Sequence, residues 1–103
     1  MTEQEKFKKI ETAHKDLQDI DDVLANFDKK KANNVALNIY SNPDYVLSIA
    51  KNRKKHNLPT GNILFADLHT KDKRKALKMY YDAVQDALKI ILLAPIDDKK
   101  ENK

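Results

Sequence analysis

The sequence contains no cysteine, a single glycine and only three prolines in 103 residues. Without cysteine there is no disulfide framework and no thiolate metal site. With Gly61 as its one glycine, the chain cannot form a Gly-rich loop that cradles phosphate. No stretch approaches the roughly 20 consecutive apolar residues that a membrane-spanning helix needs. The first residues, MTEQEKFKKIETAHKD, lack the apolar run of a signal peptide, so a cytoplasmic location is expected. What is present is one domain's worth of chain, 41% hydrophobic and 35% charged, which is apolar enough to build a core. The expected division is a single domain over 1–94 and a charged, frayed tail over 95–103.

Charge is unevenly spread. Residues 1–28 carry 4 basic and 8 acidic side chains, residues 29–81 carry 12 and 3, and residues 82–103 carry 4 and 5. An acidic start thus precedes a strongly basic middle. Either the middle binds a polyanion, or the acidic first helix packs beside basic ones and cancels much of their field. Of the 20 basic residues only Arg53 and Arg74 are arginine, which counts against the planar fork that reads nucleic-acid bases.

Apolar residues follow helical spacing in four stretches. Thr2 and Glu5 form a capping box ahead of a long helix over 3–27, striped by Phe7, Ile10, Leu17, Ile20, Leu24 and Phe27, with Val23 widening the stripe. His14 falls between Ile10 and Leu17 and is expected on the buried side. Asp28 is placed to cap a second helix, lined by Ala32, Val35, Ala36, Ile39 and Tyr40. Ser41 or Asn42 can cap a third, with Pro43 at its first position and Tyr45, Val46, Ile49 and Ala50 facing inward. The stretch 57–61 is a loop. A short extra helix or loop segment is expected at 62–68. A last helix runs from near Thr70 to Ala94, before Pro95, on a stripe of Leu77, Tyr80, Tyr81, Val84, Leu88, Ile91 and Leu92. Its end, 87–94, is apolar nearly all round, so it is either central to the fold or covered by a partner. The expected fold is all-α, an antiparallel four-helix bundle.

Chemistry is poorly signalled. His14 reads as a core histidine. His56 follows a basic run and has no carboxylate near it in sequence. Asp67, His69 and Asp72 match no established metal spacing, and the acidic residues of the first helix lack the glycine turn of a calcium loop. Neither Ser41 nor Ser48 sits in a nucleophile elbow, and there is no HExxH or phosphate-loop sequence. No enzyme, cofactor or metal is expected.

Two basic clusters flank the 58–68 segment: Lys51, Arg53, Lys54 and Lys55, and Lys73, Arg74 and Lys75. They are the candidate partner-binding residues, together with Phe65. Phosphate contact with nucleic acid or anionic lipid is one use for them; solubility and helix-dipole complementation are the other. The second and third helices have helix-turn-helix proportions, but the turn has no glycine and the third helix opens on Pro-Asp-Tyr-Val rather than base-reading side chains. Leu58, Ile63, Leu64, Phe65 and Leu68 form either a lid over one end of the bundle or a groove for an apolar peptide.

The layout resembles the bacteriocin immunity proteins of Gram-positive bacteria, which are small, cysteine-free, Lys-rich four-helix bundles. The shared features are a capped long first helix from Thr2, a short second helix over 34–40, a third ending in Lys54-Lys55, a connection through Pro59, and a long amphipathic last helix from Leu77 to Leu93. The resemblance implies a non-catalytic protein that blocks a pore-forming peptide from inside the producer cell, at a membrane receptor complex. A protein partner is implied with it, and the helical stripes themselves lead to the expectation of a monomer or weak dimer. The alternative is a small regulatory protein of the phage or plasmid type, binding nucleic acid or a host protein through the basic 51–78 region.

Overall fold

The computed structural model describes residues 1–58 and 73–96, with Lys73 as backbone only. Among these residues there are four α-helices and no strand: α1 Glu3–Ala25, α2 Lys29–Tyr40, α3 Val46–Lys55 and α4 Lys73–Leu93, with a 3₁₀ turn, Pro43–Tyr45, leading into α3. The expected element at 62–68, the start of the last helix near Thr70 and the tail beyond Ile96 lie outside the described residues.

The helix boundaries follow from local chemistry. Thr2 Oγ1 accepts from the Glu5 amide at 3.1 Å, and the Glu5 carboxylate accepts from the Thr2 amide at 2.8 Å, which closes the capping box. Asp28 caps α2 through the amides of Lys30 and Lys31, at 2.8 and 3.2 Å. Asn42, not Ser41, caps the 3₁₀ turn through the Asp44 amide at 2.9 Å. The end of α3 closes without glycine: Asn57 takes a left-handed φ of 59°. Its amide donates to the Lys54 carbonyl at 3.1 Å, and the Leu58 amide to the Arg53 carbonyl at 2.8 Å. This pair of bonds is the Schellman arrangement, and Asn is the usual substitute for Gly there. α1 ends at Ala25, two residues before the expected limit, because Asn26 leaves the helix at φ −140° and ψ 82°.

α4 is the hub. It packs most extensively on α1, then on α3, and also touches α2 and the 3₁₀ turn. The start of α1 lies at the end of α4, where Lys6 Nζ donates to the carbonyls of Leu92 and Ala94, both at 2.9 Å. The end of α1 lies at the start of α4, where Arg74 Nη1 donates to the Leu24 carbonyl at 2.6 Å. Along α3 and α4, Asn52 meets Asp86 and His56 meets Asp82, so position numbers on one fall as those on the other rise.

The core is built from Ile20, Val23, Ile39, Tyr45, Ile49, Leu77, Met79, Tyr80 and Val84, with six alanines (Ala13, Ala32, Ala36, Ala76, Ala83 and Ala87) that let helix backbones approach closely. Each large aliphatic residue buried here contributes roughly 1.5–3 kcal/mol of transfer free energy.

Several expected inward positions are corrected. His14 is exposed; Ala13 and Asp16 take the inner positions of α1, because the buried stripe steps from Ile10 to Ala13 to Leu17. Phe7 is 62% exposed. On α3, Val46 and Ala50 face outward, and the inner face is Tyr45, Ser48, Ile49, Asn52 and Arg53. On α4, Leu92 is half exposed and Met79 is buried instead.

Candidate functional site

The inner faces of α1, α3 and α4 carry polar groups that hydropathy alone would place in water. Asp16 is 2% exposed on α1. It accepts a 2.6 Å bond from the Tyr45 hydroxyl and a 3.1 Å bond from Asn38 Nδ2, which joins α1 to the 3₁₀ turn and to α2. Burial pushes the Asp16 carboxyl above the ordinary carboxylate range, against the opposing pull of the Tyr45 bond. Burial, with the bond to Asp16 next, holds the Tyr45 hydroxyl far above the ordinary phenol value. Tyr45 therefore keeps its proton and donates it to Asp16. Both groups spend their hydrogen-bonding capacity on neighbouring elements, which is the work of a strut between helices.

A second polar layer joins α3 to α4. Asn52 Nδ2 donates to the Ser48 carbonyl at 2.8 Å and to Asp86 at 2.9 Å. Arg53, only 2% exposed, lies over the rings of Tyr40 and Tyr80, 5.9 Å from each centroid, and donates to the Tyr80 hydroxyl at 3.2 Å. His56 Nε2 lies 2.8 Å from an Asp82 carboxylate oxygen. The carboxylate missing from the sequence neighbourhood of His56 thus arrives from α4, 26 residues on. This pair lines a shallow cleft of about 260 Å³ together with Asp21, Leu24, Lys78 and Tyr81.

The candidate partner-binding residues separate on the structure. Lys51, Lys54 and Lys55 are exposed on α3. Arg53 is not part of that surface, because its guanidinium is taken into the core between two tyrosines. Arg74 is exposed but engaged by the end of α1, and Lys75 is half-buried. Phe65 and the side chain of Lys73 lie outside the described residues, as do Asp67, His69 and Asp72. Among the described residues no group of three His, Cys, Asp or Glu is placed to hold a metal ion, and no helix is long and apolar enough to cross a membrane.

A feature that the sequence only half signals lies at the other end. The start of α1, the 3₁₀ turn and the end of α4 meet around a cleft of about 240 Å³ lined by Glu5, Lys8, Lys9, Thr12, Asn42, Asp44, Tyr45 and Ile91. Lys9 pairs with Asp44 across it at 3.0 Å. Around this end Phe7, Val46, Leu47, Ile90, Leu92 and Leu93 are exposed, Leu47 to 83% and Leu93 to 85%. The all-round apolar end of the last helix marks Ile90 to Leu93 in advance. Val46 is missed because helical spacing puts it on the side of Ile49 and Arg53, although it stands at the exposed start of α3. Comparison with protein families, curated proteins and solved structures returns no match to this chain.

Proposed function

We propose that this chain is a small binding protein without catalysis, of the bacteriocin immunity kind, working on the cytoplasmic side of the producer cell's membrane as a monomer or weak dimer. The pairing of helix ends described above supports an antiparallel four-helix bundle as its scaffold. The observation that carries the proposal is the set of large apolar side chains held outward where α1 and α3 begin and α4 ends. The core does not need them, and an apolar cluster kept in water is a recognition surface. The polar groups of the interior support the same view, since Tyr45 bonds Asp16 and Asn52 bonds Asp86 across helix contacts.

Expression in a strain sensitive to class II bacteriocins, followed by challenge with a panel of those peptides, tests the proposal. Protection against at least one is expected, and protection against none overturns the immunity role. The second reading, a regulatory protein that binds nucleic acid or a host protein through 51–78, is favoured by the exposed Lys51, Lys54 and Lys55. Binding to DNA or RNA that falls steeply with added salt would select it.

A further inference from the structure

We propose that the end of the molecule formed by the start of α3 and the end of α4 docks on an anionic lipid surface. The two helix ends are neighbours. Asn52 bonds Asp86, and one turn further out on each helix come Ser48 and Ile90. Tyr45, just ahead of α3, lines the same cleft as Ile91. The tips are Val46 and Leu47 on one helix and Ile90 and Leu93 on the other, between 55% and 85% exposed. Behind each leading leucine stands an exposed lysine on the same helix face: Lys51 four residues from Leu47, and Lys89 four residues from Leu93. In both cases the lysine lies on the inward side, about 6 Å along the helix. That offset matches a lipid interface, where an apolar tip enters roughly 5–10 Å and cationic heads stay at the phosphate level.

Of the acidic groups on these two helix ends, Asp44 is paired with Lys9 at 3.0 Å, while Asp86 bonds the uncharged Asn52 amide at 2.9 Å, which offsets no charge. Counting the neighbouring start of α1, Lys6, Lys8, Lys9, Lys51 and Lys89 at this end outnumber Glu3, Glu5, Asp44 and Asp86, and that excess complements a negative headgroup layer. A peptide or helix partner would seek a groove. Side chains more than four-fifths exposed, such as Leu47 and Leu93, stand proud of one. A fluid interface accepts separate protruding side chains without a matching shape.

The assignment shares its working surface with the proposed function but does not require the immunity role. Vesicle binding is read without any bacteriocin, so either can fail alone. The test is co-sedimentation of the full chain with vesicles of phosphatidylcholine containing about 30% phosphatidylglycerol, and with phosphatidylcholine alone. Binding to the anionic vesicles only is expected. The double variant L47S/L93S should weaken it at least about tenfold. K51Q/K89Q should weaken it roughly thirty-fold, from about 1 kcal/mol for each lysine near an anionic surface. K29Q/K30Q, two exposed lysines at the opposite end, should change it less than about threefold, because they lie beyond the reach of screened attraction. All six positions are exposed, so each variant should melt as the parent does. The proposal is overturned if the chain ignores anionic vesicles, or if K29Q/K30Q weakens binding as much as K51Q/K89Q. It is also overturned if the leucine variants instead dissociate a dimer seen by analytical ultracentrifugation while vesicles stay unbound.

Discussion

Replacing Tyr45 by Phe removes one oxygen from a packed interior and nothing else. The ring stays, so no large cavity opens. What is lost is the 2.6 Å bond to Asp16, leaving that carboxyl with Asn38 as its remaining side-chain donor. A hydrogen bond to a charged acceptor contributes about 1.5–3 kcal/mol, and one between neutral groups about 0.5–1.5 kcal/mol. At pH 7 the variant should lose about 1.5–3 kcal/mol, the figure for a charged acceptor, and its Tm should fall by roughly 6–24 °C. At about pH 4 the loss should shrink toward the neutral figure, because burial raises the Asp16 carboxyl and it takes up its proton earlier in the folded chain as pH falls. The sign follows from the direction of the shift. A carboxyl whose folded pKa is raised above its unfolded value binds its proton more readily when folded. Its contribution is complete below the ordinary aspartate range and is lost as pH rises through the raised folded value. Asp16→Asn removes that titration. Relative to the parent, the Asn variant should therefore gain stability as pH rises through the same window. Urea denaturation followed by circular dichroism at both pH values measures each quantity. A Tyr45→Phe loss under about 0.5 kcal/mol at pH 7, or one that is larger at pH 4, would refute the reasoning.

Two further outcomes are expected. Asn57→Ala should destabilise by about 1–2 kcal/mol, because a Cβ without a local hydrogen-bonding group is unfavourable at φ 59°, while Asn57→Gly should be neutral or slightly stabilising; thermal melts of the two separate a backbone effect from a side-chain one. Arg53→Lys should keep the charge yet lose about 1–2 kcal/mol, since a point ammonium cannot present a flat face to the Tyr40 and Tyr80 rings, and chemical denaturation against the parent measures it.

Most of the helices are legible in the sequence because their signals are local. Thr2, Asp28 and Asn42 cap the elements they precede, and each acts through amides within three residues. The apolar stripe of α2 lies where the periodicity places it, and that of α4 does so apart from Leu92, which is exposed, and Met79, which is buried. The interior of α3 is not legible. Asn52 and Arg53 are polar residues of that helix that hydropathy would place in water, and each is retained by a group far along the chain: Asp86 for one, Tyr80 for the other. Ala50 lies roughly 160° round the helix from Asn52 and turns out, whereas Val46 is on the same side as Arg53, seven residues on, yet is 55% exposed at the first position of α3. Asp16 behaves likewise on α1. Its burial depends on Tyr45, 29 residues later, and with it His14 moves into water. The candidate basic site is legible as composition but not as a surface, since tertiary contacts take Arg53 and Arg74 out of it.

The contact between the start of α1 and the end of α4 has a temporal side. Lys6 waits for the carbonyls of Leu92 and Ala94, and the Leu24 carbonyl for Arg74. On the ribosome α1 emerges first, and its chief packing partner is the last of the four helices to be made. At about 5–20 residues per second, the interval between the end of α1 and the end of α4 is several seconds. Throughout it Ile20, Val23 and the buried Asp16 have no complete interior to enter. The nascent chain therefore carries an uncovered amphipathic helix until synthesis of α4 is complete, and closure is expected as one late event rather than helix by helix. A growing chain in that condition is a natural client for a ribosome-associated chaperone.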